Sequence, residues 1–137
     1  MRGIANSLQS LSVIALAQNE IVESKAHADE CIVIYQKLGD QEGVADALGG
    51  AAALAIEGKR FHRATRLHSA SEKLRQDIGA PLAPLQRQEV DHELAEIREA
   101  LGDEDFEVAW REGYALTKEQ SIALALEAPM IDSSQTP

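Results

Sequence analysis

Large aromatic side chains are scarce in this sequence: two Phe, two Tyr and one Trp among 137 residues. A core with so few rings has to be assembled from small and straight-chain apolar residues, here chiefly Ala and Leu, which favour helices. That composition points to an all-α protein, and the length suits one modest domain. Cysteine is nearly absent as well. Cys31 stands alone, so no intramolecular disulfide can form, and a reducing compartment, the cytoplasm, is expected. No run approaches the ~18 consecutive apolar residues of a membrane span, so no membrane partner is expected. Basic residues are outnumbered 13 to 23, giving a net charge of −10. Such a surface repels phosphate backbones over most of its area, and on that ground nucleic acid is set aside as a partner of this segment.

Catalytic signatures are missing too. There is no Gly-x-Ser-x-Gly elbow and no Walker A loop, and Cys31 sits in the apolar stretch "CIVIY", where a thiol is inert. Glu89 and His92 have the Glu-x-x-His spacing of carboxylate-bridged di-iron bundles, but no second copy exists. "HELAE" has Glu96 where a zincin needs its second histidine. No catalytic residue, metal ligand or cofactor is expected. The opening "MRGIANSLQSLSVIALAQ" imitates a secretory leader, but Asn6, Ser7, Gln9, Ser10 and Ser12 interrupt its apolar run, and it reads as a helix.

What the chain does contain is an echo of itself. Displaced by 40 residues, Gly3-Ile4-Ala5 lies over Gly43-Val44-Ala45, Leu8 over Leu48, Ala15 over Ala55 and Leu38-Gly39 over Ile78-Gly79. Each copy reads as a helix pair, about 2–18 with 21–38 and 41–57 with 61–78, ended by a glycine that can take the left-handed conformation. Small residues such as Ser12, Ala52, Ala64 and Ala70 allow the close helix approach of a stacked hairpin. Pro81 and Pro84 then break the pattern and lead into a helix of about 84–101. Asp103 is expected to cap a helix over 104–114, and Thr117 with Gln120 a last one over about 118–127. Phe106, Trp110 and Tyr114 share a face, read as a packing surface that closes one end of the stack.

The run "RLHSASEKLRQDIGAPLAP", followed by "LGDEDFEVAWREGYALTKEQSIALAL", resembles the C-terminal portion of bacterial tetratricopeptide-type arrays. Those arrays end large signal-transducing ATPase regulators, among them LuxR-type and activator-type transcription factors and cyclase-linked proteins. The resemblance runs from Gly3 to Leu126 and is most specific from Ala64 onward; His68 and Lys59 depart from its pattern. It implies an α-α superhelix over 1–127, with hairpin repeats at about 2–40 and 42–80 and three capping helices at about 84–127; the stretch 128–137, which has no period, is expected to be a disordered tail.

In such stacks the first helix of each hairpin lines the concave surface. Carried onto this sequence, that selects Asn6, Gln9 and Val13 from one copy and Asp46, Gly49 and Ala53 from the other. Their small and polar side chains leave room for a peptide, with Asn6, Gln9 and Asp46 able to bond its backbone. The leading reading is a non-catalytic protein-interaction scaffold with a protein or peptide partner; the alternatives are a small-ligand sensor coupled to an ATPase, which needs an enclosed apolar cavity, and a structural cap whose exposed N-terminal hairpin pairs with a missing repeat or self-associates. Between 59 and 75, Lys59, Arg63, Arg66 and Lys73 share a face, read as attraction toward the acidic helix that follows.

Overall fold

The computed structural model describes residues 2–127, which form an all-α fold. Its elements in chain order are α1 (Arg2–Ala17), α2 (Ile21–Leu38), α3 (Gln41–Glu57), α4 (Phe61–Ile78), α5 (Pro84–Leu101), α6 (Asp103–Tyr114) and α7 (Lys118–Leu126). The expected tail over 128–137 lies outside the described residues.

Backbone hydrogen bonds at the turns repeat with the 40-residue period. Glu20 N–H donates to Ala15 at 2.8 Å as Arg60 N–H donates to Ala55 at 2.8 Å, and Asp40 N–H donates to Tyr35 at 3.0 Å as Ala80 N–H donates to Arg75 at 3.0 Å. Gly39 and Gly79 end α2 and α4 in the left-handed region, at φ 69° and 68°. The turns inside the pairs are also left-handed, but on side-chain-bearing residues, Asn19 at φ 63° and Lys59 at φ 60°. Asparagine tolerates this conformation; lysine does so at a cost of about 1 kcal/mol.

Close helix approach comes from small residues at matched positions. In the α1–α2 pair, Ser12 Oγ donates to the Ser24 carbonyl and Ser24 Oγ to the Ser12 carbonyl, both at 2.9 Å. In the α3–α4 pair the same two positions are Ala52 and Ala64, each fully buried. The main core joins Ile32 and Tyr35 of α2, Leu48 of α3, Leu67 and Leu74 of α4, and Ile122 of α7. Full burial of a Leu such as Leu48 or Leu67 contributes about 2 kcal/mol.

The C-terminal helices are held by different means. Pro84 opens α5, where its missing N–H removes no bond. Asp103 does not cap α6 as expected: Gly102, at φ 85°, takes that position, and Asp103, Glu104 and Asp105 fill the first turn, where the helix dipole favours acids. Thr117 and Gln120 bond each other's backbone N–H at the start of α7, at 3.0 and 2.9 Å. At the far end of α7, Lys25 and Arg63 donate to the Ala125 carbonyl at 3.3 and 3.4 Å, closing orphan acceptors with cations. Helix α6 lies on α4 through Phe106, Ala109 and Gly113. A Cβ on Gly113 would stand 2.8 Å from Ser69 Cβ, so only glycine permits this approach. Trp110, stacked on Phe106 with ring centroids 5.9 Å apart, stays half-buried beside an apolar cleft with Leu94 and Arg98.

Candidate groove site

A cleft of about 550 Å³ runs between α1, α3, α4 and α5. Its floor is α3, where Asp46, Gly49 and Gly50 face it. One rim is α1, with Asn6, Gln9, Ser10, Val13 and Ile14; the other is α5, with Gln86, Glu89, Val90 and Glu93. Five of the six residues selected from the sequence, Asn6, Gln9, Val13, Asp46 and Gly49, therefore line one cleft. Ala53 is half-buried one turn further along α3 and falls outside its lining.

The polar groups already have partners within the fold. Tyr35, rooted in the core with 2% of its surface exposed, points its hydroxyl between Asn6 Oδ1 and Gln9 Oε1, the latter at 3.1 Å. One phenol proton cannot serve two oxygens, so one of these amides presents its NH2 to the phenol oxygen instead. Burial, reinforced by Cys31 and the nearby Asp46 and Asp40, pushes the Tyr35 hydroxyl up to about 12, so it remains a donor. Asp46 accepts from Arg75, whose other nitrogen donates to the Ala80 carbonyl at 3.1 Å. Burial lifts the Asp46 carboxyl above the ordinary carboxylate range, although Arg75 beside it pulls the other way. Of the groups expected to serve a peptide, one amide oxygen of the Asn6–Gln9 pair, the NH2 of the other and Asp46 Oδ1 are thus engaged; the remaining NH2 and the remaining amide oxygen are left for an occupant.

Two walls escaped the sequence reading. On α4, His68 is buried with Nε2 2.8 Å from Glu93 Oε1, and Glu72 pairs with Arg87 at 3.1 Å. On α5, Gln86, Glu89, Val90 and Glu93 recur at three- and four-residue spacing, a face visible in the sequence once α5 is taken as a wall rather than a cap. Glu89 faces the cleft while His92, its Glu-x-x-His partner, is exposed and absent from the lining. Among the described residues no three His, Cys, Asp or Glu side chains gather as a metal site, and none of the helices is long and apolar enough to cross a membrane.

The glycines of the α3 floor separate from those that serve packing. A Cβ on Gly43 would stand 2.6 Å from Tyr35 Cγ, and Gly113 is equally crowded. At Gly49 and Gly50 a Cβ would meet nothing within 4 Å. Each costs the helix about 1 kcal/mol relative to alanine, and no neighbouring element claims the space.

The basic residues of α4 disperse instead of meeting the acids of α5. Arg63 turns to the end of α7, Lys73 pairs with Asp77 on its own helix at 2.8 Å, and the basic partner of Glu72 comes from α5 itself. Cys31 is buried, and desolvation first and Asp29 second push its thiol up to about 11.

No family model matches the chain, and no solved structure matches it significantly. Among curated proteins, relatives in Mycobacterium bovis and two strains of Mycobacterium tuberculosis, each named a "Putative HTH-type transcriptional regulator", are 31% identical over 124 residues, or 90% of this chain. The chain spans 14% of their length. These names agree with the family resemblance at the level of transcriptional regulation, and none mentions a tetratricopeptide repeat. They also correct the exclusion of nucleic acid: that reading averaged charge over a whole surface, whereas relatives named for a helix-turn-helix and for transcription bring nucleic acid back among the partners to consider.

Proposed function

We propose that this chain is a non-catalytic, tetratricopeptide-like interaction domain of a transcriptional regulator, and that its α1–α3–α4–α5 cleft receives a peptide segment. The observation that carries the reading is the glycine pair on the cleft floor. Gly49 and Gly50 weaken α3 and relieve no contact within the fold, so the room they leave suits something that enters from outside. The relatives' names supply the regulatory setting.

The lining sets the chemistry of the occupant. Val13 and Ile14 are more than half exposed on one rim, while Glu89 and Glu93 stand on the other. Glu93 faces His68, and Glu89 forms no ion pair among the described residues. A segment with Lys or Arg on one side and apolar residues on the other matches both rims. The cleft is open to solvent and mixes polar with apolar lining in similar measure. An open trough of this kind favours a peptide over an enclosed small ligand.

Selection of displayed random 12-mers on the wild-type chain, with counter-selection on Gly49→Leu, tests this. The expected pool alternates basic and apolar residues and loses binding on Gly49→Leu and on Glu89→Lys. A pool that binds all three proteins equally refutes the assignment, as does a selection that enriches no peptide on the wild-type chain.

A further inference from the structure

The 40-residue equivalence shows what is missing from the outer face of α1. On α3, Gly43, Val44, Ala47, Leu48 and Ala51 are all buried, and the ring of Tyr35 from the preceding hairpin lies against Gly43 where a Cβ would be. Their equivalents on α1 are Gly3, Ile4, Ser7, Leu8 and Leu11. Ile4 is 53% and Leu11 45% exposed, and a Cβ on Gly3 would meet nothing within 4 Å. By contrast, Ala5 and Ala15, which face α2, are buried like Ala45 and Ala55, which face α4. Burial within each pair is therefore matched, and only burial between pairs is lost. The opposite end of the stack differs, since α4 is covered there by α6 packed through Gly113.

We infer that the outer face of α1 seats a further helical hairpin of the same 40-residue repeat, with a large side chain at the position of Tyr35 lying over Gly3. The occupant is identified by the interface it continues: α3 meets α2 through this set of positions, and α1 presents Gly3, Ile4, Ser7 and Leu11 exposed, with only Leu8 half-buried against the main core. An exposed glycine in a helix that carries an apolar stripe has no role in the isolated pair, and has one as soon as a ring approaches it. The relatives, of whose length this chain spans 14%, have ample sequence to supply such a hairpin. The inference is independent of the peptide reading, because α1 meets the cleft through Asn6, Gln9 and Val13 and the proposed hairpin through Gly3, Ile4 and Leu11.

A chain lengthened by a copy of residues 2–40 placed directly ahead of residue 1 keeps the repeat register, and sets the copied Tyr35 eight residues before Gly3, as Tyr35 precedes Gly43. Its urea unfolding should be a single transition with a higher midpoint and a larger m than the original chain, and the amides of α1 should gain protection from hydrogen exchange. Gly3→Leu should leave the midpoint of the original chain nearly unchanged and abolish the gain in the lengthened one. Two separate transitions, or Gly3→Leu equally silent in both chains, overturns the inference. So does a concentration-dependent dimer of the original chain that Gly3→Leu dissociates, because the occupant would then be a second copy.

Discussion

Replacing Gly49 by alanine should make the protein more stable, an unusual expectation for a half-buried position. Gly49 and Gly50 lie near the middle of the 17-residue helix α3, where glycine is about 1 kcal/mol worse than alanine because it has more backbone freedom to lose. No heavy atom lies within 4 Å of the new Cβ at either position, so no steric term opposes the gain. Each single change should raise stability by about 1 kcal/mol, and for a domain of this size the melting temperature by about 4 °C. The same substitution at Gly113 carries the same propensity gain but drives a Cβ into the Arg66 backbone and Ser69. Overpacking of that kind costs about 1–3 kcal/mol, so the sign reverses. Urea titrations followed by helical circular dichroism give both signs from one assay, with m unchanged for the stabilised variants. A lower midpoint for Gly49→Ala would show that the cleft floor is not open, and the reading of the glycine pair would fall with it.

Lys59→Gly should relieve left-handed strain and raise stability by a few tenths to about 1 kcal/mol, and Asn19→Gly by less, since asparagine tolerates φ near 63°; equal effects in thermal melts would contradict this. With its thiol at about 11, Cys31 at pH 8 is ionised in only about one molecule in a thousand, so a chromogenic disulfide should label it slowly in the folded chain and rapidly in urea, while fast native labelling would refute its burial. Because burial raises the Asp46 carboxyl in the folded state, folding takes up a proton there: its contribution is most favourable at low pH and declines as pH rises from the ordinary carboxylate pKa through the raised one. Asp46→Asn should remove that part of the slope in urea midpoints measured across this window, and an unaltered slope would show that other groups carry it.

How far the sequence announced these features depends on how local each signal is. The glycine stops at Gly39 and Gly79 and the Thr117–Gln120 box are local, and they are where the residue types alone place them. Asp103 misled because a capping residue and a first-turn acid favour the same residue type, and only the φ of 85° at Gly102 tells them apart. The α1 and α3 sides of the cleft came from the family resemblance, which puts the first helix of each hairpin on the concave surface, and the structure gathers Asn6, Gln9, Val13, Asp46 and Gly49 in one lining. The α5 wall did not, since its placement depends on Ile97, its one buried residue, and on the neighbours it meets across the chain. The partnering of Asn6 and Gln9 by Tyr35 was hidden for the same reason: an aromatic 26 residues from Gln9 reads as core until its buried hydroxyl is seen to reach the two amides beneath the cleft. Net charge proved the least informative quantity, because it speaks to an average surface and not to the company the domain keeps.

The most direct test is amide chemical-shift mapping of the chain titrated with a peptide from the selection. Shifts should concentrate at Asn6, Gln9, Gly49, Gly50, Glu89 and Glu93, saturate at one peptide per chain and be absent in Gly49→Leu. Shifts that instead gather beside Leu94 and Trp110, or that persist undiminished in Gly49→Leu, would contradict the cleft assignment.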